Sequence, residues 1–226
     1  MLKAIIFDCD GVIADTEPIH LTAFARVLAE EGITVTEEAY FERYLALDDR
    51  GCFTKAFAER GTSLSPDQLT DLINRKAGFV ERVMQTDLML LPGAAEFIKA
   101  AAVRYPLAVA SGALRAEVYT VVNHGGLRDC FRAIVSAEDT PRSKPFPDPF
   151  IRALELLNAA GIDPIEPFEC LVIEDSIHGI QAALQANMCC MAITNSYPKE
   201  KLSEAHLVVN SLLGLSLADV EALFQP

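Results

Sequence analysis

The chain opens with MLKAIIFDCDGVIADTEPIH (residues 1–20), and FDCDG (7–11) is the stretch on which the fold turns. Ala4 to Phe7 form a short apolar run of the kind that makes a buried strand. In extended backbone, residues two apart share a face, so Asp8 and Asp10 are expected side by side. Two carboxylates at the end of a buried strand repel each other and resist desolvation. They need compensation from elsewhere in the chain. Cys9 points the other way and reads as buried packing, since a reactive thiol wants a neighbouring base or a lowered pKa.

Four more apolar runs have the same character: LAVAS (107–111), AIVSA (133–137), CLVIED (170–175) and CCMAIT (189–194). LVVNS (207–211) is a weaker one. Helical patterns lie between them at 115–123, 148–160 and 176–186. Strands alternating with helices predict an α/β fold, a doubly wound and mainly parallel sheet with helices on both faces. The segment from Asp15 to Leu90 breaks this rhythm, with helical patterns over 18–31, 37–46, 51–60 and 66–86 and no convincing strand. Ser65-Pro66 has the form of an N-cap and first helical residue. The expected organisation is a core of residues 1–14 and 91–226 with a helical cap domain, 15–90, inserted after the first strand. Ligands of open α/β sheets bind at the carboxyl ends of the strands, near the switch in strand order.

With 226 residues and 51% hydrophobic content, the chain can bury a sizeable core. A net charge of −13 argues against binding nucleic acid or an anionic membrane surface, both of which need a basic patch. Cys9, Cys52, Cys130, Cys170, Cys189 and Cys190 form no CxxC pair and no zinc spacing, which suits free thiols in a reducing cytoplasm. No signal peptide or membrane-span pattern is visible, so a cytoplasmic protein, monomeric or a small homo-oligomer, is expected.

The polar residues that fall at strand ends are Asp8, Asp10, Ser111-Gly112, Lys144 (in SKPFPDPF) and Glu174-Asp175. Clustered carboxylates are tolerable around a hard divalent cation, and oxygen-only ligands suggest Mg²⁺. A lysine adds positive charge, and a serine hydroxyl can hold phosphate oxygens. Together they suit phosphoryl transfer. Taken singly, Ser111-Gly112 also reads as a turn, Lys144 as a surface lysine, and Glu174-Asp175-Ser176 as a helix start with Asp175 or Ser176 as N-cap.

FDCDGVIADT, Ser111, Lys144 and Glu174-Asp175 resemble, in order, the four motifs of the haloacid dehalogenase superfamily. The resemblance covers essentially the whole chain. The insert position is similar to that of the subgroup containing phosphoglycolate phosphatases and β-phosphoglucomutase. The resemblance implies a Rossmann-like core and an Mg²⁺-dependent phosphatase acting on a small phosphorylated metabolite, a sugar phosphate or similar. Asp8 would be the nucleophile that becomes an aspartyl-phosphate, and Asp10 the acid that later helps activate water. Ser111 and Lys144 would hold the transferring phosphoryl group. Asp8, Asp175, Glu174 and the backbone carbonyl of Asp10 would surround the metal. An aspartate at position 10 favours phosphate esters, because the dehalogenases and phosphonatases of the superfamily do not keep it. His20, Arg50 and Lys76 match substrate-facing cap residues of the β-phosphoglucomutase group, and Gly112 is expected to contact substrate. His20 on a helix and Arg50 beside Asp48 and Asp49 also read as ordinary structural or solvated residues. His124, His178 and His206 read as structural, and Ser143 and Pro145 as loop context.

The main alternative is a β-phosphoglucomutase-like phosphomutase. That group tends to carry LKGxSR before the cap arginine, where this chain has Leu45-Ala46-Leu47-Asp48-Asp49-Arg50. It also tends to carry a serine or lysine after the second-motif serine, where this chain has Gly112-Ala113-Leu114. Both departures favour the phosphatase. A catalytically silent binding protein on the same fold is the remaining alternative.

Overall fold

The computed structural model describes residues 1–45, 47–160 and 163–225. In chain order they form β1 (Ala4–Phe7), α1 (Glu17–Glu30), α2 (Glu37–Arg43), α3 (Asp49–Ala58), α4 (Pro66–Asp87) and α5 (Ala94–Ala102). Next come β2 (Leu107–Ala110), α6 (Arg115–His124), β3 (Phe131–Val135), α7 (Asp148–Ala160), β4 (Cys170–Glu174), α8 (Ile177–Gln185), β5 (Cys189–Ile193), β6 (Leu207–Val209) and α9 (Leu217–Glu221). Short 3₁₀ turns lie between them. The chain divides into two compact units, Met1–Asp15 with Met89–Pro226, and Thr16–Leu88.

The first unit is built on a six-stranded sheet in the order β3-β2-β1-β4-β5-β6, with every neighbouring pair parallel. The chain winds outward from β1 through β2 to β3, then restarts on the other side of β1 with β4. The switch in strand order therefore lies between β1 and β4. β1, β2 and β4 are buried at every residue, as strands covered on both faces must be. One face of the sheet is lined by small side chains, with Ala4, Ala108, Ala110, Ala133 and Ala192 among them. Phe150, Ala153, Leu154 and Leu157 of α7, with Ile180, Ala182 and Ala183 of α8, belong to the same buried cluster. Alanines on the strands leave room for the larger helix residues. On the alternate strand positions, Phe7 meets Phe97 of α5 and Phe131 edge-on, with ring centroids 6.3 and 5.9 Å apart.

The second unit holds α1 to α4 around its own apolar centre. The Phe24 ring lies 5.2 to 5.9 Å from those of Tyr40, Tyr44 and Phe53. The phenolic hydroxyls find partners, Tyr40 donating to Glu17 at 2.5 Å and Tyr44 to Glu59 at 2.7 Å. Ser65 and Gln68 close a capping box at the start of α4, with Pro66 at its first turn. Ala46 lies outside the described residues.

The insertion leaves and re-enters the core at adjacent points. The Asp15 N–H donates to the Met89 carbonyl at 3.0 Å and the Leu91 N–H to the Ile13 carbonyl at 3.0 Å. Ala14 and Leu90 form an antiparallel bridge between them.

The small-residue face makes a checkable demand. Ala108→Leu should destabilise the fold by about 1–3 kcal/mol through overpacking against α7, read as a lowered Tm in thermal unfolding.

Candidate active site

β1 hands Asp8 to the carboxyl edge of the sheet. The Asp8 N–H still donates to the Ile173 carbonyl of β4 at 2.9 Å, so the strand ladder fixes its backbone. Beyond it the chain leaves strand geometry. The Cys9 carbonyl accepts from the N–H groups of Val12, Ile13 and Ala14, and Gly11 has φ of +73°. That left-handed conformation suits glycine.

Three carboxylates converge here. Asp8, Glu174 and Asp175 are buried, and each offers an oxygen such that all three lie within 4.8 Å of one another. Lys144, from the loop between β3 and α7, donates to Asp8 Oδ1 at 2.7 Å and to Glu174 Oε1 at 2.6 Å. Its ammonium also lies 5.0 Å from the Phe150 ring centre. Burial opposes the lysine's charge, but Asp8 and Glu174 outweigh it and hold its pKa above the ordinary value. For Asp8, burial pushes the pKa up to about 7. Lys144 pulls it down, and Glu174 and Asp10 add to the rise.

Glu174 is saturated. Its Oε2 accepts from the Asp175 N–H, the Ser176 N–H and the Ser176 hydroxyl, each at 2.9 Å. Ser176 also caps α8, accepting from the Gly179 N–H at 3.0 Å. Asp175 accepts at Oδ2 from the hydroxyl of Ser196, which lies just past β5.

Asp10 sits in the turn at Cys9–Ala14 that follows β1. Its Oδ2 accepts from Ser111 Oγ at 3.2 Å, and its charge is felt at Asp8. Ser111 itself is buried at the end of β2 and accepts from the Ala113 N–H at 3.0 Å. Gly112 comes next, and a Cβ there would meet nothing within 4 Å.

The remaining sequence candidates lie in the helical unit. The Lys76 ammonium donates to Asp49 Oδ1 at 2.5 Å and to His20 Nδ1 at 2.8 Å. An ammonium has no acceptor, so Nδ1 must accept and the neutral imidazole carries its proton on Nε2. Arg50, in the first turn of α3, is exposed. His206 is structural, its Nδ1 accepting from the Cys190 N–H at 3.1 Å. Cys9 is fully buried, and burial pushes its thiol far above the ordinary value, which leaves it no thiolate character.

Three further residues support the cluster: Gly11, which lies within the first motif, and Gly179 and Ser196, which lie outside the motifs. A Cβ on Gly11 would fall 1.9 Å from Asp175 Oδ2, and one on Gly179 would fall 1.8 Å from the Glu174 carboxylate. Backbone thus packs directly against both acids. The glycine inside the first turn of α8 is the one available clue, since glycine there costs helix stability without a packing reason. Ser196 carries no local signal beyond its place at the carboxyl end of a strand.

The donor set fits a hard divalent cation. It is made of carboxylate oxygens, is buried, and holds three acids against one lysine. Among the described residues, no helix is long and apolar enough to cross a membrane.

Comparison with known proteins agrees. The family model described as haloacid dehalogenase-like hydrolase matches residues 5–193. Fructose-1-phosphate phosphatase YqaB of Escherichia coli K12 is 32% identical over 186 residues, covering 81% of this chain and 92% of that protein. The crystal structure of CbbY from Rhodobacter sphaeroides in complex with phosphate superposes with a TM-score of 0.86 at 26% identity, covering 98% of this chain and all of that one. A β-phosphoglucomutase from Clostridium difficile gives 0.85 at 26% identity, covering 99% and 97%.

Gly179→Ala should lower stability by about 2 kcal/mol or more, because the buried Glu174 carboxylate has to move and loses donors. A pH titration tests Asp8. A carboxyl whose pKa is higher in the folded protein than its ordinary 3.8 stabilises the fold fully below about pH 4, and that contribution is lost as pH rises through about 7. Lys144 keeps its charge throughout this range, its own pKa being raised. In metal-free protein, Asp8→Asn should therefore raise Tm at pH 8 by about 3 °C or more, and the gain should shrink toward pH 5.

Proposed function

We propose a two-step transfer of phosphate to water for this chain, which belongs to the haloacid dehalogenase-like hydrolases and is a phosphatase among them. The observation that carries the mechanism is the buried Lys144 ammonium shared by Asp8 and Glu174, with Asp175 beside them, where β1 and β4 mark the switch in strand order. Asp8 attacks phosphorus and the ester P–O bond breaks, leaving an aspartyl-phosphate. Asp10 gives its proton to the departing alkoxide. A water then attacks the phosphorus as Asp10 takes a proton back, and the P–O bond to Asp8 breaks to release phosphate. Lys144 and the Ser111 hydroxyl hold the phosphoryl oxygens. The hydrogen bond from Ser111 to Asp10 supports a pairing of phosphate grip with acid–base work.

Mg²⁺ is the proposed metal, held by Asp8, Asp175 and the Asp10 carbonyl with Glu174 behind them; when bound it would neutralise the carboxylates and draw charge from the phosphoryl oxygens. Glu174 is better suited to anchoring Lys144 and Ser176 than to direct ligation, because its oxygens already accept four hydrogen bonds.

The proposed substrate is a small phosphorylated metabolite, with a sugar phosphate favoured by the fructose-1-phosphate phosphatase among the relatives. His20, Arg50, Lys76 and Gly112 are its proposed contacts. The likeness to β-phosphoglucomutase keeps a phosphomutase as the second reading. Lys76 is less suited to gripping a second phosphate, since Asp49 already answers its charge.

Hydrolysis of p-nitrophenyl phosphate should depend on Mg²⁺, stop with EDTA, and fall at least about 10³-fold in Asp8→Asn. A panel of sugar phosphates including fructose 1-phosphate should release inorganic phosphate. Conversion of β-glucose 1-phosphate to glucose 6-phosphate without release would favour the mutase. Inactivity across the panel with metal bound normally would sink both enzyme readings.

A further inference from the structure

The four stretches that carry the site do not include Ser196. It lies in the segment after β5, two strands from β1, yet its hydroxyl donates to Asp175 Oδ2. Gly11 packs against the same oxygen, and a Cβ there would sit 1.9 Å from it. Oδ2 thus meets both a hydroxyl donor and a bare stretch of backbone. Asp175 is 3% exposed, so its carboxylate has little solvent to turn into.

We infer that Ser196 is a positioning residue for the proposed divalent-cation site, holding the Asp175 carboxylate in the orientation that binds the ion. The inference rests on the metal-dependent reading above. A neutral donor suits this task. A lysine at the same place would cancel the charge the cation needs, as Lys144 does for Glu174, whereas a hydroxyl fixes the rotamer and leaves the charge intact. The two neighbouring acids are then divided in function: Glu174 is paired with a cation of the protein's own, and Asp175 is oriented for an external one. Without the hydroxyl, Asp175 loses one of the contacts that orient it, which weakens binding and leaves the later chemistry intact.

The test is Mg²⁺ affinity without substrate, by calorimetry and by the Mg²⁺-dependent rise in Tm. Ser196→Ala should weaken Mg²⁺ binding on the order of 10–100-fold, the usual cost of losing a group behind a metal ligand. Ser196→Thr keeps the hydroxyl and should stay within about threefold of wild type. At saturating Mg²⁺, kcat for p-nitrophenyl phosphate should recover in Ser196→Ala, with the loss confined to the Mg²⁺ concentration required. Unchanged Mg²⁺ affinity in Ser196→Ala, or equal loss in Ser196→Thr, would overturn the assignment while leaving the phosphatase reading in place. Wild-type protein that binds no Mg²⁺ would overturn both. Should Ser196→Ala fail to fold, Ser196→Cys, of similar size with a weaker donor, carries the same expected direction and the same overturning result.

Discussion

Everything at the carboxyl edge of the sheet depends on one buried ammonium. Asp8 and Glu174 come from adjacent parallel strands, and parallel register alone brings their charges together. Without Lys144 the two acids would repel in a medium that screens poorly. With it, one positive charge serves both at 2.7 and 2.6 Å. Removing the lysine would leave both acids without their shared countercharge. One cation among three acids nevertheless leaves the cluster negative. That remainder is the charge balance that suits a hard divalent cation.

Around this centre, the absence of side chains is as important as their presence. Gly11 and Gly179 let backbone approach Asp175 and Glu174 to distances no Cβ would permit. The alanines on the α7 face of the sheet play a comparable part at larger scale, setting how near α7 and α8 can come. Close packing beneath the site and close packing within it are one constraint, since Phe150 belongs to that buried cluster and its ring faces Lys144. A rigid floor keeps the acids where their mutual repulsion would otherwise spread them.

Much of this is legible in the amino-acid order. β1, β2, β4 and β5 are nearly unbroken apolar runs, and a strand buried on both faces leaves no other pattern. β3 begins two residues before its apolar run suggests, at Phe131, because Arg132 interrupts the run. β3 is an edge strand, where an exposed arginine is tolerated. The Ser65-Pro66 start of α4 can be read directly, being a local hydrogen-bonding rule. The turn at Cys9–Ala14 that follows β1 cannot, because alternation stops applying once the strand ends. Nor can Ser196, whose partner is distant in sequence and whose own surroundings carry no motif. Local chemistry is visible in the sequence, and contacts made only by the closing of the sheet are not.

The paired entry and exit of the Thr16–Leu88 segment has a consequence for how such a chain can vary. Because Asp15 and Met89 are a hydrogen bond apart, the core experiences everything between them as a single closed loop. Closure entropy grows only logarithmically, about 0.6 kcal/mol for each doubling of length. Going from a hairpin of a few residues to a whole helical bundle is about four doublings and so costs the sheet only about 2 kcal/mol. The sheet can keep its chemistry fixed while the inserted segment is exchanged, lengthened or lost. The length of the inserted segment is thereby only loosely constrained by the sheet that carries it.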